Sequence, residues 1–137
     1  MIVHIYVGLP GSGKTMLARK HAEDSEPEVI FLDDVFTREQ LWSALVSDTA
    51  KHLFITDPWT IDHKRRVELY RVIASGSVRS DADRHTEWIY FENDLETAFQ
   101  NVKSRDDGRV ISYQALKQMS LSYTIPNNSL VIPVWKP

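Results

Sequence analysis

The residues with the clearest chemical purpose lie near the start of the chain. Gly8-Leu-Pro-Gly-Ser-Gly-Lys14-Thr15 satisfies every fixed position of the phosphate-binding loop pattern G-x-x-x-x-G-K-[ST]. A polyphosphate needs many donors at close range. Glycines let successive backbone N–H groups curl around it without Cβ clashes, and the helix that follows adds the positive end of its dipole. The spacing assigns Gly8, Pro10, Gly11, Ser12, Gly13, Lys14 and Thr15 to ATP binding. Lys14 reaches the β- and γ-phosphates, and Thr15 offers its hydroxyl to Mg²⁺.

Phosphoryl transfer needs three further parts: a carboxylate for the metal, a base for the acceptor hydroxyl, and a cation over the transferring group. Leu53-Phe-Ile-Thr-Asp57 is an apolar run closing on a carboxylate. Asp57 is the expected second metal residue beside Thr15; the competing role is a turn-forming Asp before Pro58. Val29–Leu32 closes on Asp33-Asp34, with Asp33 the first candidate for the base and Asp34 the second. Arg105 is the expected lid cation over the ATP phosphates, with Arg109 in reserve, unless both belong to an exposed turn.

These groups need elements to hold them. Ile2–Val7 reads as a buried strand ahead of the loop, and Lys14–Glu23 as the helix behind it. Val29–Leu32, Leu53–Thr56, Trp88–Phe91 and Ser129–Val134 read as four more strands. Thr37 to Gln40 has capping-box spacing and starts a helix to about Ser47. Thr60 is expected to cap a helix running to Ser75, with Gly76 as its stop. Residues 76–86 read as a polar loop. Asn93 to Glu96 reads as a second capping box, and Ser112 as the cap of a last helix with Leu116, Met119 and Tyr123 on one side. Strands alternating with helices predict an α/β fold: a three-layer P-loop architecture, about five parallel strands with helices on both faces and a short arginine lid.

The chain has 137 residues, which suits one domain spanning 1–137. It has no cysteine, which excludes disulfide frameworks, thiolate metal sites and cysteine nucleophiles. No stretch near the start is long enough for a signal peptide or a span, so the expectation is a cytoplasmic protein. The net charge of −3 excludes binding of nucleic acid by the molecule's overall field. The distribution is uneven: residues 21–50 hold eight acids against Arg38 alone, whereas residues 63–85 hold five arginines and Lys64 against three acids. The five histidines are scattered in sequence and receive no role. No Asn-Lys-x-Asp guanine-reading motif and no ABC signature occur, which leaves the small P-loop kinases.

On these residues the chain resembles the kinase half of bacteriophage polynucleotide kinase and related phage DNA kinases, including those acting on 5-hydroxymethyluracil. The likeness rests on GLPGSGKT, on Phe54-Ile-Thr-Asp57 followed by a helix bearing Arg65-Arg66, and on Asn101-Val-Lys-Ser-Arg105. It implies ATP and Mg²⁺, Asp33 as base, Asp57 closing the third strand and Arg105 as lid arginine. It also implies DNA as acceptor, through a base hydroxymethyl group or a 5′-hydroxyl, and a host-cytoplasm location if phage-encoded. Two positions depart from the family. Phe36 stands where the family has a substrate-binding arginine, which leaves Arg38 as the nearest acceptor-binding candidate. Pro58-Trp59 replaces Thr-Asn, and Trp59 either stacks on an acceptor base or packs in a core or interface. The same residues also serve a small-molecule kinase of nucleosides, nucleotides or sugars, and less readily a non-catalytic nucleotide-binding module.

Overall fold

A computed structural model describes residues 1–25, 28–75, 85–105 and 108–137. The elements run β1 (Ile2–Val7), α1 (Lys14–Glu23), β2 (Val29–Leu32), α2 (Arg38–Leu45), β3 (His52–Ile55), a 3-10 turn (Pro58–Ile61), α3 (His63–Ser75), β4 (His85–Phe91), α4 (Leu95–Ser104), α5 (Tyr113–Ser122) and β5 (Val131–Ile132). The five strands form one parallel sheet in the order β2-β3-β1-β4-β5. The α/β architecture expected from the alternating pattern is present.

The strand period of two divides the side chains between two layers. Val3, Ile5, Val7, Leu53 and Ile55 point to one face, where Leu41 and Leu45 of α2, Leu69 and Ile73 of α3, and Leu116 of α5 close over them. Tyr6, Phe54, Phe31 and Phe91 point to the other face, against Leu17 and Ala18 of α1. Val3, Ile5, Tyr6 and Val7 have no exposed surface, so the strand leading into the loop is fixed on both sides. Truncating a residue such as Ile5 to alanine removes about 2–5 kcal/mol.

Several boundaries differ from the sequence expectation. β4 begins at His85, three residues early, because His85 to Ile89 pair along β1 from Ile2 to Tyr6. β5 shrinks to two residues between Asn128, whose φ is +64°, and Pro133, which has no N–H for the ladder. Thr60 does not cap a helix. The Asp57 carboxylate accepts from Trp59 N and starts the 3-10 turn, Thr60 is buried inside it, and α3 begins at His63. The second cap moves from Asn93 to Asp94, which accepts from Thr97 N, while Asn93 bonds Ser120 instead. The Thr37–Gln40 capping box and the Ser112 cap are formed. Gly76 and most of the expected 76–86 loop lie outside the described residues, as do Asp106 and Asp107 of the lid.

The histidines are less scattered than their sequence positions suggest. His4 and His52 face each other across β1 and β3 with ring nitrogens 3.0 Å apart, and His4 Nδ1 lies 3.2 Å from Glu87. Burial holds the His4 pKa below its ordinary value, with Glu87 opposing. Among the described residues no group of His, Cys, Asp or Glu is arranged to hold a metal ion.

Candidate active site

The loop between β1 and α1 is built on two left-handed glycines. Gly11 has φ +85°, and a Cβ there would run into the Ala98 carbonyl of α4 and come 2.9 Å from Val102. Gly13 has φ +101° and caps α1 with no side-chain hydrogen bond, so the first turn of the helix keeps its N–H groups for a ligand. The C-terminal segment braces the same loop: Trp135 N donates to Ser12 O, and Asn101 Nδ2 donates to both Gly11 O and Trp135 O. Tyr123 is a second brace, its hydroxyl lying 2.5 Å from Phe91 O and 3.1 Å from Val7 O at the strand ends. Sequence reading missed Trp135 and the roles of Tyr123 and Asn101, because each acts through the backbone of a distant segment and no local pattern marks such a contact.

Lys14 is buried, its ammonium donating to Gly8 O at 2.7 Å and Leu9 O at 3.1 Å. Burial pushes its pKa down to about 8, opposed chiefly by the Asp34 carboxylate and assisted by Arg105. Thr15 Oγ1 donates to Asp33 Oδ1 at 2.9 Å. Thr56 Oγ1 donates to the same oxygen at 2.6 Å and accepts from Asp34 N at 3.2 Å. One hydroxyl, only 2% exposed, therefore sets both acids. Asp34 has φ +62°, and its carboxylate accepts no hydrogen bond among the described residues.

These groups surround a cavity of about 490 Å³. Pro10, Gly11, Gly13, Lys14 and Thr15 line it from the loop, Asp33, Asp34 and Thr56 from the strand ends, and Arg105 and Arg109 from the segment after α4. Trp59, 55% exposed, stands on its wall. Gly8 and Ser12 lie beneath the loop and do not line it. Ser12 is fully buried, and its hydroxyl has no partner among the described residues.

Asp57 and Arg38 sit elsewhere. Asp57 is 1% exposed; its Oδ2 takes Arg65 Nε at 2.8 Å and Nη2 at 2.7 Å, and its Oδ1 takes Trp59 N at 2.9 Å. The strand period explains the placement. Asp57 shares the face of Leu53 and Ile55 and meets α3, whereas Asp33 shares the face of Phe31 and meets α1, where Thr15 begins. The carboxylate beside Thr15 is thus Asp33, and the alternation along both strands already carried that signal. Arg38, at the start of α2, lines a separate cavity with Arg65 and Arg71.

The site fits a nucleoside triphosphate with Mg²⁺. Gly11 and Gly13 leave a cradle free of Cβ atoms, and uncapped N–H groups and Lys14 supply the donors. The Thr15–Asp33 pair supplies the oxygen ligands that Mg²⁺ prefers, few enough to leave places for water and phosphate.

The phosphate-binding loop and the parallel sheet together define a P-loop kinase-like fold. Two solved structures share that fold. A gluconokinase from Sinorhizobium meliloti 1021 superposes with a TM-score of 0.59 at 13% identity, covering 99% of this chain and 83% of its own. The protein APE1195 superposes with a TM-score of 0.58 at 21% identity, covering 95% of this chain and 82% of its own. No protein-family model matches the sequence, and no curated protein matches it. No described helix is long and apolar enough to cross a membrane.

Proposed function

We propose that this chain is an ATP-dependent phosphotransferase acting on the hydroxyl of a small molecule. One observation carries the reading: a single cavity brings together the loop lysine, the Thr15–Asp33 pair, the Asp34 carboxylate and two arginines. Its volume of about 490 Å³ falls in the usual range for small-molecule sites. The gluconokinase of like fold is, by its name, a kinase of a sugar acid, which favours a small alcohol over a polymer as acceptor.

When bound, Mg²⁺ neutralises charge on the phosphates, and Thr15 and Asp33 are the residues that would hold it. Thr56 keeps Asp33 in that position. Asp34, projecting into the cavity, takes the acceptor proton as the acceptor oxygen bonds to the γ-phosphorus and the bond to the bridging oxygen breaks, releasing ADP. Lys14, Arg105 and Arg109 stabilise the equatorial charge that develops. In this division of labour Asp34, the second candidate from sequence, becomes the base. Asp33 takes the metal role expected of Asp57, and Asp57 becomes a structural acid anchoring α3.

A second reading, a nucleic-acid acceptor, draws on Trp59, whose exposed ring on the cavity wall is placed to stack on a base. The test is transfer from γ-labelled ATP to a panel of sugars, sugar acids, nucleosides, 5′-hydroxyl oligonucleotides and duplex DNA bearing 5-hydroxymethyluracil. Label on a small alcohol supports the first reading. Label confined to the DNA substrates supports the second, and label on none of them refutes both.

A further inference from the structure

The active-site cavity has two apolar ends. Trp135 and Met16 mark one: a Cβ on Gly13 would come 2.8 Å from Trp135 Cβ and 3.8 Å from Met16 Cε, so both flank the phosphate loop. The other starts beside Asp34, at Val35, and continues over Pro58, Trp59, Ile111 and Met119. Val35 and Pro58 follow the ends of β2 and β3, which pair side by side up to Leu32 and Ile55. Thr124 N donates to Ile61 O, which ties the end of α5 to the turn bearing Trp59 and brings Met119 to the same side. Ile111 and Met119 are rooted on the core under α2, α3 and α5, whereas Val35 and Trp59 stand 68% and 55% exposed.

Polar partners at this second end are scarce. Lys14, Thr15 and Asp33 serve the phosphates and the metal in the proposed mechanism, and Arg105 and Arg109 serve the transferring group. Thr56 Oγ1 is spent on Asp33 and on Asp34 N, and the Asn101 amide nitrogen on Gly11 O and Trp135 O. Arg38 lies in the separate cleft with Phe36. Among the described lining residues this leaves the Asp34 carboxylate for the acceptor. A polyol seated here buries further hydroxyls against valine, proline, isoleucine and methionine side chains, each unpaired hydroxyl lowering affinity about tenfold. The carboxylate of a sugar acid meets the like charges of Asp33 and Asp34.

Resting on the kinase reading, we infer that the acceptor is a monohydric alcohol on an apolar body, its hydroxyl on Asp34 and the rest of it against Val35, Trp59 and Met119. An exposed indole and an exposed valine at the mouth are apolar surface for such a body to cover, and the Trp59 ring favours an aromatic one. Asp57 Oδ1 accepts from Trp59 N at 2.9 Å, so the turn that presents the ring is held through its backbone. The acceptor class then differs from that of the gluconokinase of like fold, by its name a kinase of a sugar acid.

The probe is benzyl alcohol, with glycerol and gluconate as controls, added to protein saturated with a non-hydrolysable ATP analogue and Mg²⁺ and read by ligand-observed NMR. Benzyl alcohol should bind about tenfold more tightly than either control, or better. Trp59→Ala should weaken it about fivefold, Trp59→Phe should keep most of the affinity, and neither should alter binding of the ATP analogue. The bond from Trp59 N to Asp57 survives both changes, so the variants should melt within a few degrees of the parent, which separates lost binding from lost fold. Glycerol or gluconate binding as tightly as benzyl alcohol, no binding of benzyl alcohol, or binding indifferent to Trp59 overturns the assignment. Labelled ATP then separates the two readings. Transfer to gluconate and not to benzyl alcohol would overturn the apolar acceptor and leave the kinase standing. Benzyl alcohol bound at Trp59, with no transfer to any alcohol, would indict the kinase reading and leave the apolar pocket standing.

Discussion

The two ends of the active-site cavity are built on different principles. At the phosphate end, nearly everything is backbone and buried: a loop shaped by two positive-φ glycines, a lysine folded onto two carbonyls, and braces from α4, α5 and the C-terminal segment. At the proposed acceptor end the working groups are side chains on short turns, and several are exposed, among them Asp34, Val35 and Trp59. The phosphate end meets a ligand common to all P-loop proteins, so its geometry is held by interactions that tolerate little change. On the proposed kinase reading the acceptor end must fit one particular alcohol, and exposed side chains alter its shape without disturbing the core.

Substitutions should expose that contrast. The largest effect belongs to Lys14→Ala, expected to lower transfer about a thousandfold and to weaken ATP binding, measured by labelled-phosphate transfer and calorimetry. Unchanged transfer would remove the loop from the chemistry. Next, Asp34→Asn should lower kcat about a hundredfold or more with ATP affinity intact, whereas Asp33→Asn should raise the Mg²⁺ concentration needed for half-maximal rate. The reverse pattern would return the base to Asp33.

Arg65→Met tests the wall between the active-site cavity and the cleft beside it. It strands the Asp57 carboxylate, 1% exposed, without its cation, and should cost about 3 kcal/mol in stability, read from denaturant unfolding. A variant as stable as the parent would leave Asp57 free for another duty.

The pH response should come from the phosphate end. Burial places the Lys14 pKa at about 8 in the free protein. Below that pH the buried ammonium is charged and disfavours the folded state; as pH rises from about 8 toward the unfolded lysine value, this penalty is relieved. ATP needs the charged form, so its binding should take up a proton and weaken up to about tenfold by pH 9. Calorimetry in buffers of different ionisation enthalpy detects the uptake, and a flat profile would mean that Lys14 stays charged. The smallest effect is Trp59→Ala, expected to raise acceptor KM about fivefold while ATP affinity stays constant. An unchanged KM would place the acceptor away from the tryptophan.

Much of this molecule was legible one segment at a time. The loop motif, the extents of β1, α1 and β2, and the caps at Thr37 and Ser112 follow from short-range chemistry: β-branched runs, glycines, and side-chain oxygens three residues ahead of an N–H. Where the local pattern misled, a competitor from outside the window had won. Asp57 took the Trp59 N–H and displaced Thr60 as a cap, and Arg66, bonded to Thr60 O, Ile61 O and Thr124, fixed the turn in place. β4 extended to His85 because β1 offered it partners.

By itself, then, the sequence determined that this is a nucleotide-loop α/β chain with acids at its strand ends, since those features need only neighbours a few residues apart. The tertiary structure decided which acid meets which partner. Strand alternation sends Asp33 to α1 and Asp57 to α3, and sheet order sets the ends of β2 and β3 side by side so that Thr56 can hold Asp33 and Asp34 together. It also decided that Arg38 and Arg71, 33 positions apart in the sequence, face one cleft. Contacts of that span depend on how helices pack over a sheet, and no pattern within either segment encodes them.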